Sequence, residues 1–147
     1  MSLYLLDVNA FLALLDPMHV HHAAIHAWYG KLDAPVILVC SHVVNGVLRI
    51  ASQPKYPNSL GTTSKVRGAL QQFVSRVPHE FCAKDASLLD DAVLVQAGML
   101  TPNRVSDLYL LALAVVHGAK FATLDHKIPA TAVAGGPAGM ELIPLGT

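Results

Sequence analysis

The sequence predicts an α/β fold with a mainly parallel central sheet of four to five strands. Short apolar runs alternate with helical segments along the chain, as in folds whose parallel strands are joined by helical crossovers. The runs at 3–6 and 36–40 are apolar without interruption, which is typical of strands that are covered on both faces. The chain has 147 residues and 53% of them are hydrophobic, so we expect one domain, 1–147, around a large core.

Five short segments predict strands because they are apolar and bounded by turn-forming or polar residues. They lie at 3–6, 36–40, 80–83, 120–124 and 141–143. Six further segments have helical periodicity or helix-start signals. They lie at 8–15, 20–29, 41–50, 63–77, 87–97 and 106–117. Residues 53–62 contain two prolines and a glycine, and predict an exposed loop.

Local chemistry sets the expected ends of these helices. Asp16 precedes a proline and ends the first helix, and Ser41 can cap the third. Residues 66, 69, 70, 73, 74 and 77 form the apolar stripe of the fourth. Ser87 and Asp90 have the spacing of a capping box, which predicts a helix to about Ala97.

The helix at 106–117 is the centre of the predicted fold. Ser106 and Asp107 suit a cap and a first-turn acid. The residues that follow are apolar nearly all round, which marks a buried helix, and Gly118 suits the position after its end. A short strand at 120–124 then leads to Asp125.

Three carboxylates are expected at one edge of the sheet. Asp7 follows the first strand, Asp125 follows the fourth, and Asp107 begins the helix before it. In open parallel sheets this carboxyl edge is where sites form. Hard divalent ions such as Mg²⁺ or Mn²⁺ prefer oxygen ligands, so the three acids predict a metal site. Each acid alone also has a structural explanation, as a cap, a dipole partner or a turn residue.

The chain as a whole has few charges for a nucleic-acid-binding protein. Lysine and arginine number 10, aspartate and glutamate 10, and the net charge is +0, so binding of nucleic acid would need a local patch. Candidates for such a patch are Arg49, Lys55, Lys65, Arg67 and Arg104. The start of the chain lacks the features of a signal peptide, and its apolar runs are too short to span a bilayer. We therefore expect a cytoplasmic protein that acts away from the membrane.

Several of these segments together resemble the PIN domain, and in particular the ribonuclease toxins of VapBC toxin–antitoxin systems. LLDVNAFLALLD at 5–16 is similar to the opening strand and first acid of that family. VSDLYLLALAVVHGAKFATLD at 105–125 resembles its later acidic blocks. The resemblance implies an α/β/α sandwich, an Mg²⁺ pocket with Mn²⁺ as an alternative ion, cleavage of RNA, a homodimer and an antitoxin partner.

The resemblance also assigns roles to individual residues. Asp7, Asp107 and Asp125 would be both catalytic residues and metal ligands. Asn9 and Ser106 match polar positions beside the first and third acids, and Arg104 could hold a phosphate; these three are candidates for substrate binding.

One position departs from the family pattern. The second acid of the family is a Glu in a block resembling TEN-G, and Val44 stands there in SHVVNGVLRI, with His42 and Asn45 as weaker substitutes. With three acids, a two-metal mechanism is less favoured than a single ion. The chain could therefore be an endoribonuclease of reduced activity, or an inactive PIN fold that binds antitoxin or RNA. On this reasoning, Val44→Glu should raise activity and ion affinity.

Two other segments have weaker functional interpretations. The segment LLDVN could belong to a phosphohydrolase with an Asp nucleophile, in which Asn9 replaces a second acid, but the general acid is then missing. His22 and His26 have the spacing of a transition-metal pair. Since cysteines and acids at suitable spacing are lacking apart from Asp16, exposed histidines are the preferred interpretation.

Overall fold

The five predicted strands form one parallel sheet in a computed structural model that describes residues 2–58 and 60–145. The strands are β1 (Ser2–Leu6), β2 (Pro35–Val39), β3 (His79–Phe81), β4 (Lys120–Thr123) and β5 (Met140–Leu142). Their order across the sheet is β3-β2-β1-β4-β5, and every neighbouring pair is parallel. The predicted fold class is thereby confirmed.

The helices lie between the strands in the chain and pack in two groups. They are α1 (Val8–Leu15), α2 (His22–Gly30), α3 (Ser41–Ala51), α4 (Thr63–Arg76), α5 (Val105–Val116) and α6 (Gly136–Gly139). Helix α1 packs against α2, α3 and α4, whereas α5 packs against α6, β1 and β4. Two predicted ends are confirmed, because Asp16 occupies the C-cap of α1 and Gly118 has a φ of 65° just after α5.

The predicted helix at 87–97 is wrong. This segment forms turns, and a 3-10 helix covers only Ala97–Met99. The Ser87 hydroxyl accepts the N–H of Leu89 at 3.1 Å, and the Asp90 carboxylate accepts the N–H of Ala92 at 2.9 Å. Such side-chain bonds two residues ahead close local turns and compete with helix hydrogen bonds. The residues that suggested a capping box therefore stabilise turns instead.

Two predicted caps also differ from the structure. Helix α5 begins at Val105 with Arg104 at its N-cap, so Ser106 lies inside the first turn. Helix α3 begins at Ser41 itself, with Cys40 at the N-cap. The Gly-rich tail segment forms the short helix α6.

The core lies on both sides of β1 and β4. Leu5, Leu6 and Phe121 are fully buried. Most of α5 is buried too, as predicted, although Val116 at its end is exposed. Across the parts of the chain that the structure describes, every helix is too short or too polar to cross a membrane.

Candidate active site

The candidate site lies where the order of the strands reverses. Strand β1 pairs with β2 on one side and with β4 on the other, with Leu6 opposite Ala122. The carboxyl ends of β1 and β4 therefore meet, and in α/β sheets the crevice at such a reversal is the usual ligand site. Asp7 follows β1 directly, and Asp125 lies two residues beyond β4.

Asp7 is the most buried of the three acids and is held from two sides. One carboxylate oxygen accepts the N–H of Ala10 at 2.6 Å, which caps α1, and the other accepts the Thr123 hydroxyl at 2.5 Å. Burial raises the pKa of Asp7 to about 6, although both hydrogen bonds lower it. The neighbouring charges of Asp107 and Asp125 raise it further.

Thr123 is a site residue that the sequence reasoning missed. Its side chain is buried in β4, where its hydroxyl donates to Asp7 and accepts the N–H of Asp125 at 3.0 Å. One hydroxyl thereby fixes the first acid relative to the third. The available signal was a hydroxyl residue in an otherwise apolar strand, two positions before an acid.

Arg104 joins the other two acids. Its Nη1 donates to the Oδ2 atoms of Asp107 at 3.1 Å and Asp125 at 2.7 Å. The 3-10 helix Pro102–Arg104 leads directly into α5, so the arginine lies one turn before Asp107 on the chain. The structure thus brings Arg104 to the acids that sequence analysis singled out.

The two acids on Arg104 differ in their electrostatics. Burial raises the pKa of Asp107, and the charge of Asp125 adds to this effect, although Arg104 opposes it. Burial also acts to raise the pKa of Asp125, but the N–H of Lys127 and the guanidinium outweigh it, so that pKa falls below its ordinary value. The hydrogen bond to Asp125 is the main reason why the pKa of Arg104 is raised.

All three acids line one pocket of about 520 Å³. Asn9 and Ser106 also line it, so five of the six predicted site residues share this wall and the sixth, Arg104, contacts two of them. The remaining lining residues come mainly from α1, α3 and α5: Val8, His42, Asn45, Gly46, Arg49, Ile50 and Leu110. Of the basic residues proposed for a nucleic-acid-binding patch, Arg49 lines the pocket and Arg104 contacts two of its acids.

Gly46 allows α3 to approach the site closely. A Cβ at this position would lie 2.7 Å from Cγ2 of Val8, the residue after the first acid. A larger residue would have to displace the Val8 side chain or push α3 away from α1. The close approach gives the pocket its α3 wall, which carries His42, Asn45 and Arg49.

Val44 lies in a different groove. Its neighbours there are Leu70 and Val74 of α4, together with His79 and Phe81 of β3. Val44, which occupies the position of the family Glu, therefore lines an apolar groove between α3 and α4. His42 and Asn45, the weaker substitutes, are the ones that line the acidic pocket.

Asn9 and Ser106, the two polar candidates beside the acids, each form a hydrogen bond with a histidine. The ring of His19 accepts the N–H of His21 at Nδ1, so its Nε2 carries the proton that meets Asn9 Oδ1 at 3.1 Å. The amide nitrogen of Asn9 is thereby left to donate elsewhere. His42 Nε2 lies 3.2 Å from the Ser106 hydroxyl and links α3 to the first turn of α5.

The other histidine pair has a structural role. His22 Nδ1 lies 2.7 Å from the carbonyl of Ala13, and His26 Nε2 lies 3.1 Å from the carbonyl of Leu14. Ring N–H groups thus satisfy carbonyls at the end of α1, where helix carbonyls lack partners within the helix.

The residues of the pocket suit a hard divalent cation in their chemistry. Three carboxylates, an amide and a hydroxyl offer oxygen donors, which Mg²⁺ and Mn²⁺ prefer. Within residues 2–58 and 60–145, however, no three His, Cys, Asp or Glu side chains are arranged as a ready-made metal site. In this arrangement one oxygen of Asp7 accepts the Thr123 hydroxyl, and Asp107 and Asp125 each accept a hydrogen bond from Arg104.

Comparison with known proteins identifies the family. The family model described as PIN domain matches residues 4–134. The chain belongs to the PIN domain family. Ribonuclease VapC44 of Mycobacterium tuberculosis is 39% identical over 131 residues, which are 89% of this chain and 92% of that protein. Ribonuclease VapC38 of the same organism is 34% identical over 125 residues, covering 84% of this chain and 86% of the relative.

Solved structures share the fold of this PIN domain. A crystal structure of VapBC2 from Rickettsia felis, bound to a DNA fragment from its promoter, aligns with a TM-score of 0.56 and 17% identity. That alignment covers 87% of this chain and 94% of the other. Mycobacterium tuberculosis VapC20 is described as a toxin that cleaves the sarcin–ricin loop. It aligns with a TM-score of 0.56 and 13% identity, and the alignment covers 89% of this chain and 96% of the VapC20 chain.

Proposed function

We propose that this PIN domain, residues 1–147, is a metal-dependent endoribonuclease and the toxin of a toxin–antitoxin pair. The observation that supports this most is the gathering of Asp7, Asp107 and Asp125 on one pocket at the strand reversal. The relatives at 39% and 34% identity carry ribonuclease names, which supports the same reaction.

Asp7, Asp107 and Asp125 would hold the ion, which we propose to be Mg²⁺ with Mn²⁺ as a substitute. When bound, such an ion would supply positive charge and Lewis acidity beside the scissile phosphodiester. Thr123 fixes the positions of Asp7 and Asp125 relative to each other, because its hydroxyl hydrogen-bonds to both residues. Burial of Asp7 favours its protonated form, and a nearby cation would favour the carboxylate.

The polar residues on the rim would bind the RNA backbone. The amide nitrogen of Asn9 can donate to a phosphate oxygen, because its oxygen is already bound by His19. Ser106 offers a hydroxyl, and Arg49 and Arg104 offer guanidinium groups for bidentate phosphate contacts. A local cationic rim would compensate for the neutral net charge of the chain.

The test is cleavage of structured RNA by the purified chain with Mg²⁺ or Mn²⁺, compared with Asp107→Asn. We expect cleavage to fall at least on the order of 100-fold in the variant, because it removes one carboxylate charge from the ion site. Asp91→Asn is the matched control, since Asp91 is exposed and lies outside the pocket lining. Equal, ion-independent cleavage by all three proteins would contradict the proposal.

An inactive binding module is the second candidate. Val44 at the expected Glu position and the pairing of two acids with Arg104 favour it. It predicts tight binding of antitoxin or RNA, with the RNA unchanged after long incubation. Turnover that Asp107→Asn abolishes would rule it out.

The partners follow from the same proposal. A structure with the same fold carries the name VapBC2, the name of the toxin–antitoxin systems that the sequence resembles, which supports a cognate antitoxin for this chain. We also propose a homodimer, because only 14% of the residues are charged and apolar side chains such as Met18 and Leu89 are exposed. Co-purification with an antitoxin expressed from a neighbouring gene, and light scattering of the purified chain, are the measurements.

A further inference from the structure

Arg104 is positioned by the protein itself, ahead of any ligand. Its backbone N–H donates to the carbonyl of Thr101 at 2.8 Å, and the Thr101 hydroxyl donates to Asn103 at 2.6 Å. The residue then occupies the N-cap of α5, one turn from Asp107. Only 19% of its side chain is exposed, so the guanidinium is held against the acids and is not a freely moving surface group.

The atoms that Arg104 binds are those that a cation would need. Nη1 donates to one Oδ2 of Asp107 and one Oδ2 of Asp125. The second oxygen of Asp125 accepts the N–H of Lys127 at 2.9 Å. Each oxygen of Asp125 therefore already accepts one hydrogen bond, and an ion bound there would share these oxygens with the guanidinium and the backbone N–H. A guanidinium and a divalent ion close to the same two oxygens would also repel each other strongly.

We propose that Arg104 is an internal competitor for divalent cations, and that an ion binds Asp107 and Asp125 only as the guanidinium leaves them. This inference rests on the proposed function, since it assumes that the ion is held by those acids. It adds that the apparent ion affinity is set by a residue that is not itself a ligand. The released guanidinium remains on the rim, within reach of a phosphate beside the ion.

The first test is calorimetric titration of Mn²⁺ into the full chain, Arg104→Gln and Arg104→Lys. Because a partly exposed ion pair contributes modestly, we expect Arg104→Gln to tighten Mn²⁺ binding roughly five- to tenfold. Arg104→Lys keeps the charge but loses the planar fork, so its affinity should lie between the other two. Circular dichroism and thermal unfolding check that each variant is folded.

Arg49→Gln is the matched control. Arg49 lines the same pocket, and its removal changes the net charge by the same amount. We expect less than a twofold change in Mn²⁺ affinity, because screening weakens charges that are not in contact. Equal tightening in Arg49→Gln and Arg104→Gln would mean a general charge effect and would overturn the proposal.

A second measurement observes Arg104 directly. In NMR spectra, its side-chain Nε–H signal, assigned by comparison with Arg104→Lys, should shift as Mg²⁺ is added and saturate with the ion. An unchanged signal at saturating Mg²⁺, or unchanged Mn²⁺ affinity in Arg104→Gln while the chain still cleaves RNA, would overturn the competition alone. Absence of Mn²⁺ binding by every variant would overturn the competition and the metal-dependent function together.

Discussion

At the scale of single residues, the buried carboxyl group of Asp7 lowers the stability of the fold when it is ionised. Asp7 is buried beside two other acids, and its pKa is raised to about 6. Its ordinary pKa is 3.8, so the folded protein holds a proton that the unfolded chain releases between these values. The contribution of Asp7 to the free energy of unfolding is therefore largest below pH 4. It falls by about 3 kcal/mol in total as the pH rises through 6.

Asp7→Asn should stabilise the protein and abolish the RNA cleavage that we propose for it. The amide oxygen can still cap α1 by accepting the N–H of Ala10, and the amide nitrogen can donate to Thr123. Urea unfolding at pH 7 in the presence of a chelator should give a gain of roughly 2 kcal/mol, part of the ionisation cost. The gain should shrink as the pH falls from 6 to 4.

Asp91→Asn is the control for this change, because Asp91 is an exposed acid. It should leave stability at both pH values unchanged. A variant of Asp7 that is no more stable than the parent at pH 7 would contradict the assigned cost of burying this carboxylate.

Thr123 illustrates which residues sequence reasoning overlooks. In sequence it is one hydroxyl in a short strand, and strands commonly contain threonine. Its function as a link between Asp7 and Asp125 depends on the register of β1 against β4. That register is a long-range property, so local pattern could predict the two acids but not the bridge between them.

At the scale of elements, α3 divides its side chains between two environments. His42, Asn45 and Arg49 line the acidic pocket, whereas Val44 lines the groove against α4. Successive helical residues are separated by about 100° around the axis, so neighbours in sequence reach different surfaces. A missing carboxylate is therefore better supplied at position 45 than at position 44.

Asn45→Glu should raise Mn²⁺ affinity, whereas Val44→Glu, for which the sequence predicted such a gain, should not, because Val44 lines a different groove. A fourth carboxylate in the pocket would add attraction worth on the order of 1 kcal/mol, or about a five- to tenfold gain in affinity. Val44→Glu would place its charge in an apolar groove and lower the melting temperature instead. Calorimetric titration and thermal unfolding of both variants provide the comparison. A gain confined to Val44→Glu would show that the family position applies and that α3 is rotated in solution.

The turns at 87–97 show the limit of motif reasoning for elements. Ser87 and Asp90 satisfy the spacing of a helix start, yet both side chains accept N–H groups two residues ahead. The same hydrogen-bonding groups can begin a helix or close a turn. Leu94 pairs with Val133 in an isolated antiparallel bridge, which adds a tertiary contact in favour of the turn.

At the scale of the whole molecule, Asp16 ties two distant segments together. Its carboxylate is buried and accepts the Tyr56 hydroxyl at 2.7 Å, the Asn58 amide at 2.9 Å and the N–H of Met18 at 2.9 Å. The first two donors belong to the loop between α3 and α4. Burial alone would raise the pKa of Asp16, but these hydrogen bonds outweigh it and the pKa is lowered.

Asp16→Ala should destabilise the protein by about 3 kcal/mol at pH 7, since it leaves several donors without their acceptor. Because the folded pKa lies below 3.8, this contribution is present above that value and is lost as the pH falls through the folded pKa. Urea unfolding over a pH series measures both effects. Asp33→Ala, at an exposed position, should change stability little, and a similar loss in both variants would contradict the role of Asp16.

Local sequence patterns were enough to predict the parallel α/β fold, the chain order of its five strands and the three acids at one edge. These follow from local apolar runs and from the rule that parallel strands end on the same side. Packing between distant segments sets which α3 residues face the acids, the bridge from Thr123 to Asp7 and Asp125, and the contacts of Arg104 with Asp107 and Asp125. The physical reason is that these contacts depend on strand register, helix rotation and side-chain direction between segments far apart in the chain. Local periodicity carries no information about them.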